Sequence, residues 1–82
     1  MRKVFVASIS WNTDENGLSN HFSQIGEIED VVIVKDKETR RSRGFGFVTF
    51  TNADDADRAV KELDNSVLDG RNIKVNLAKE RE

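Results

Sequence analysis

The chain contains no cysteine, so neither a disulfide framework nor a thiolate metal site can form. A single histidine, His21, leaves no histidine-based zinc site either. No apolar run approaches the roughly 20 residues of a membrane span. Met1-Arg2-Lys3-Val4 leads straight into a strand-like stretch, leaving no space for a secretory signal. These absences set the expectation of a soluble intracellular protein, nuclear or cytoplasmic, with no cofactor and no membrane contact. The 82 residues amount to one domain, expected to be ordered from about residue 3 to about residue 78. A chain this short buries only about 60% of its extended-chain surface, so its core is small. Aromatic residues are scarce as well: five phenylalanines, one tryptophan and no tyrosine. Three of those phenylalanines fall within one octapeptide.

That octapeptide is Arg43-Gly44-Phe45-Gly46-Phe47-Val48-Thr49-Phe50. Read as a strand, it places Arg43, Phe45, Phe47 and Thr49 on one side and Gly44, Gly46, Val48 and Phe50 on the other. The glycine side is the expected buried one, since glycine within a strand marks a close approach by other backbone, here a packed helix. Two phenylalanines and an arginine are then left on the open side. Exposed rings beside a cation suit stacking on flat bases, with a charge to meet phosphate.

The net charge of −2 argues against a polyanionic partner until its distribution is read. From Lys35 to Arg43, five basic residues (Lys35, Lys37, Arg40, Arg41, Arg43) face Asp36 and Glu38, a local net of +3. From Asn52 to Asp69, six acidic residues (Asp54, Asp55, Asp57, Glu62, Asp64, Asp69) outweigh Arg58 and Lys61, a local net of −4. Local field, not the global sum, steers a charged partner.

Around the octapeptide the chain alternates strand and helix patterns. Val4 to Ile9 is a β-prone run. Thr13 stands where a helix N-cap belongs, with Asp14 and Glu15 in the first turn. Leu18, Phe22 and Ile25 form one apolar stripe, and Gly26 is the expected C′ residue that ends the helix. A second strand is predicted from about Ile28 to Val34. After the octapeptide, Asn52 is the next N-cap, and Ala56, Ala59, Val60 and Leu63 make the second helical stripe. Asp69-Gly70 marks the turn of a short hairpin between Val67-Leu68 and Arg71-Asn72. The last strand, about Asn72 to Ala78, alternates Ile73, Val75 and Leu77 inward with Lys74, Asn76 and Ala78 outward. The order is β-α-β-β-α-β, an α+β chain with the ferredoxin-like split pattern, and the short flanks suggest a bare domain.

The octapeptide matches the RNP1 signature at every position, and the whole chain resembles an RNA recognition motif. The run at Val4 to Ile9 resembles the RNP2 hexamer, with Phe5 in the aromatic slot and Ala7-Ser8 where relatives often carry Gly-Asn or Gly-Gly. Ser10-Trp11 and the stretch Lys35-Asp36-Lys37-Glu38-Thr39 before Arg41-Ser42-Arg43-Gly44 are most similar to the glycine-rich, cold-inducible, hnRNP A and Musashi types. Many relatives have glycine where Arg40 stands. The resemblance implies a four-stranded antiparallel sheet, its first and third strands central, with both helices on one face. It also implies single-stranded RNA as the partner, in post-transcriptional regulation. Phe5 and Phe47 would each stack a base, Phe45 would pack against sugars, and Arg43 would meet a phosphate. Lys3, Asp30, Val32, Val34, Lys74 and Asn76 would fill the remaining sheet-facing positions, and Arg40 and Arg41 would add charge.

Several readings stay open at this level. Trp11 either stacks on a third base or packs over a sheet end. Single-stranded DNA offers the same π-faces as RNA. A protein-interaction module is the alternative function, and the acidic second helix offers a surface to a basic protein partner. A monomer is the expected state. An acylphosphatase-like hydrolase needs an arginine-bearing phosphate cradle in the first loop, and Ser10-Trp11-Asn12-Thr13 offers no cation there.

Overall fold

Strand-forming and helix-forming segments alternate along the chain because the apolar period switches between two and 3.6 residues. In the computed structural model, which describes residues 2–39 and 42–78 (for Ser42 and Arg43 the backbone alone), the order is β1 (Lys3–Ala7), α1 (Glu15–Ser23), β2 (Ile28–Lys35), β3 (Ser42–Phe50), α2 (Ala53–Leu63), β4 (Val67–Leu68), β5 (Arg71–Asn72) and β6 (Lys74–Leu77). Strands β2-β3-β1-β6 form one sheet, with every adjacent pair antiparallel, and β4-β5 form a separate hairpin. The inward residues Val4, Val6, Ile33, Val48, Phe50 and Val75 meet Leu18 and Phe22 of α1 and Ala56, Ala59 and Leu63 of α2 in one core. Phe22 and Phe50 lie 6.4 Å apart at its centre, both fully buried.

Helix α1 starts one residue later than the sequence suggests. Asp14, not Thr13, is its N-cap, and the Asp14 carboxylate accepts the Gly17 N–H at 2.8 Å. Both residues are good caps, but the Thr13 hydroxyl is engaged by Asp69, 56 positions away. Gly26 is not a left-handed C′ residue either, since positive φ among the described glycines occurs only at Gly44 and Gly70. The helix ends at Gln24 in right-handed geometry. What Gly26 provides is room: a Cβ there would lie 2.2 Å from Asp55 Oδ2 of α2.

The two glycines of β3 also differ from expectation. The backbone that crowds Gly46 belongs to β2, not to a helix: a Cβ would lie 2.3 Å from the Val32 carbonyl oxygen and 3.1 Å from Ile33 Cα. Gly44 adopts φ +83 at a register break between β2 and β3. Its carbonyl accepts the Ile9 N–H at 2.9 Å, which extends the contact between β1 and β3 beyond the strand end. The β4–β5 hairpin turns through Asp69 (φ +50) and Gly70 (φ +81), the two positive φ values that a type I′ turn requires. At the far edge, the alternation of β6 fades. Leu77 pairs with Val4 yet remains 38% exposed at the strand end, whereas Ala78 is buried.

His21 sits half-buried on α1 with Nε2 2.9 Å from Ser66 Oγ. The Ser66 hydroxyl donates to the Leu63 carbonyl at 2.6 Å, so the imidazole is the donor to Ser66. Burial holds the His21 pKa below its ordinary value, partly offset by the negative charge of Asp69.

Candidate nucleic-acid interface

The face of the sheet away from the helices is organised by register. Val32, Phe47, Phe5 and Asn76 are direct neighbours across β2, β3, β1 and β6, forming a row that crosses the whole sheet. On one side of this row runs Asp30–Thr49–Lys3, and on the other Phe45–Ala7–Lys74. The two central aromatics meet because a strand pair sets opposing side chains on the same face within contact distance. Ring centroids of Phe5 and Phe47 are 5.5 Å apart with planes tilted by 56°, and those of Phe5 and Phe45 are 5.9 Å apart at 43°. Tilted contacts at these distances are favourable between rings, so Phe45 and Phe47 each pack against the central Phe5. Unlike Phe22 and Phe50, all three keep part of their surface in solvent.

Charged and polar groups flank the rings. Lys3 Nζ lies 5.6 Å from the Phe47 ring centroid, a cation–π distance. Lys74 donates to the Asn65 side chain in the segment after α2. Asp30 and Asn76 are exposed, and Val32 is 44% exposed. Val34 is half-buried and falls in the register break between Ile33 and Lys35, so the ladder does not set it opposite Phe45. Of the apolar residues expected on this face, Phe5, Val32, Phe45 and Phe47 therefore adjoin, and Val34 stands at the edge.

The basic members of the sequence-derived set are less fully placed. Arg40 and Arg41 lie outside the described residues, as does the Arg43 side chain. The strict alternation that assigned Arg43 to the Phe45 side is interrupted by Gly44, whose positive φ breaks the pleat. Lys35 at the start of this loop pairs loosely with Glu15 at 3.8 Å, an exposed contact of small energetic weight.

Trp11 is 71% exposed on the loop between β1 and α1, so most of the residue is open to solvent. The residues that hold this loop, Ser10, Thr13 and Asp69, carried no sequence signal of doing so. Their contacts depend on the fold bringing the hairpin to the loop.

The sequence profile of the RNA recognition motif matches residues 4–74. The chain belongs to the RNA recognition motif family. It is 49% identical over 79 residues to a glycine-rich RNA-binding protein of Arabidopsis thaliana named as mitochondrial, an alignment covering 96% of this chain and 58% of that protein. This member of the family thus spans less than two thirds of that relative's length. Among solved structures, the RNA-binding protein PG1 superposes with a TM-score of 0.93 at 34% identity, covering 100% of this chain and 99% of that one. The Rna15 domain of the same family, solved with bound GU RNA, gives a TM-score of 0.86 at 25% identity over 96% of this chain and 84% of that one.

Proposed function

We propose that this domain binds single-stranded RNA on the open face of its sheet and serves in post-transcriptional RNA handling. The observation that carries the reading is the solvent-facing cluster of Phe5, Phe45 and Phe47, held ring against ring at 5.5 and 5.9 Å while the core aromatics are fully buried. A sheet that kept three partly exposed phenylalanines for stability alone would gain little from them. In the binding reading, Phe5 and Phe47 each stack one base and Phe45 lies against the sugars between them. Lys3, Lys74 and the arginines at positions 40, 41 and 43 supply charge, and Asp30, Val32, Val34 and Asn76 meet base edges and sugars. The RNA complex of the Rna15 relative and the RNA-binding name of the plant relative support this reading.

Two stacked bases contribute roughly 2–6 kcal/mol. With a few phosphate contacts, affinity for a short single strand falls near the micromolar range. A duplex is a poor ligand, because its bases already stack on one another.

The test separates binding from folding. Phe47→Ala is expected to weaken binding of a short single-stranded RNA by about 1–3 kcal/mol in a fluorescence-anisotropy titration. Its thermal midpoint should stay near that of the wild type. Phe50→Ala should instead cost about 3–5 kcal/mol of stability, as deletion of a fully buried ring does. A benign Phe50→Ala alongside an unfolded Phe47→Ala would show that the faces are assigned the wrong way round.

A further inference from the structure

The loop from Ser8 to Asp14 is fixed at its base and bare at its tip. Ile9 is buried and pinned through its N–H to the Gly44 carbonyl at 2.9 Å. Ser10 is 8% exposed; its hydroxyl oxygen accepts the Asn12 N–H at 3.2 Å and its carbonyl accepts the Thr13 N–H at 3.0 Å. These bonds close a tight turn with Trp11 and Asn12 at its apex. Thr13 is 4% exposed, and its hydroxyl donates to Asp69 Oδ2 at 2.5 Å. Asp69 belongs to the turn of the β4–β5 hairpin, where φ is +50. A connection from β1 to α1 could be closed by local bonds alone, and the helix already has its own cap in Asp14. The added link spans 56 positions and ends two residues from the most exposed large apolar side chain among the described residues.

The geometry points to Thr13 and Asp69 as positioning residues for Trp11: the hairpin braces the loop so that the indole is presented ready to stack on a base beyond the sheet. This inference rests on the RNA-binding reading of the open face. Its physical basis is preorganisation. An indole on a fixed base loses less freedom on binding than one on a mobile loop. The Thr13 hydroxyl then matters to affinity without touching the ligand.

A double-mutant cycle tests the inference. Affinity for a short single-stranded RNA is measured by anisotropy for Thr13→Val in the wild-type and Trp11→Ala backgrounds, and circular dichroism verifies the fold of each variant. Thr13→Val, which keeps the shape and removes the donor, should weaken binding about threefold to tenfold in the presence of Trp11. In the Trp11→Ala background it should have almost no effect, and Thr13→Ser should restore affinity. Asp69→Gly suits the positive φ, removes the acceptor, and should reproduce Thr13→Val. Time-resolved anisotropy of the sole tryptophan in the free protein should show faster local rotation in both bond-breaking variants. Equal weakening in the two backgrounds would overturn the proposal, as would unchanged affinity in a folded Thr13→Val or Asp69→Gly. If Trp11→Ala binds like wild type while Phe47→Ala binds weakly, the brace is refuted and the sheet reading stands. If Phe47→Ala also binds like wild type, the sheet reading fails and the brace falls with it.

Discussion

At the scale of single residues, Ser8 is where the chain leaves β1, and it does so at φ +59. The left-handed region costs an L-residue about 1–2 kcal/mol, and asparagine visits it more readily than serine. Ser8→Asn is therefore expected to raise stability by about 0.5–1 kcal/mol, read as a rise of a few degrees in thermal midpoint. Ser8→Val should lower it, since a β-branched side chain is poorly tolerated there. A midpoint for Ser8→Asn below wild type would show that the serine does more than fill a turn. The Gly-Asn and Gly-Gly pairs of similar sequences were the one hint of this backbone conformation. Other residue-level choices were not legible. Thr13 and Asp14 are adjacent and both capable caps, and local chemistry alone cannot choose between them. The choice falls to Asp14 because Asp69 takes the Thr13 hydroxyl. By contrast, the facing of Phe45, Phe47, Val48 and Phe50 follows from alternation alone, because one side of that strand must be buried.

At the scale of elements, the alternation of β3 holds from Phe45 to Phe50 and is interrupted before it. A period-two pattern assumes an unbroken pleat, and Gly44 breaks it with φ +83 and a shift of register against β2. Gly46 does mark a close approach, but the approaching group is the neighbouring strand. Side-chain patterns report which face is buried, not which backbone comes near, so helix and strand could not be separated from sequence. The consequence is testable. Gly46→Ala would set a Cβ 2.3 Å from the Val32 carbonyl oxygen, and β2 would have to move. A loss of about 1–3 kcal/mol is expected, as for other overpacked sites, measured by urea denaturation. Gly26→Ala meets mainly the Asp55 carboxylate end, which can rotate away, so its loss should be smaller. If Gly46→Ala proves the milder of the two, β2 is less firmly held against β3 than the register implies. The helices and hairpin were legible for simpler reasons. Ala56, Ala59 and Leu63 recur on one helical face, and Asp69-Gly70 is a pair that adopts a type I′ turn. The tapering of β6 at Leu77 and Ala78 also escaped, because alternation cannot tell where an edge strand ends.

At the scale of the whole molecule, a net charge of −2 coexists with a surface suited to a polyanion because the two signs are separated. Asp54, Asp57 and Glu62 are exposed on α2, behind the sheet, and the basic run of the sequence falls where β2 ends at Lys35 and β3 begins at Ser42. On the proposed reading, a nucleic acid would be drawn toward the basic end of the sheet and repelled from the helical face. Each phosphate neutralised on a single strand contributes about 0.7 to the slope of log affinity against log salt. If Arg40 and Arg41 each meet one phosphate, replacing both with alanine should flatten that slope by about 1.4. The loss should be similar for every RNA sequence, since phosphate contacts carry no base information. It should also shrink as salt rises, so that the double variant and the wild type converge at high ionic strength, where stacking on Phe5 and Phe47 dominates. Titrations at four or five salt concentrations, with two RNAs of different sequence, measure both slopes directly. An unchanged slope in the double variant would place these arginines away from the nucleic acid and leave Lys3, Arg43 and Lys74 as the source of the electrostatic attraction.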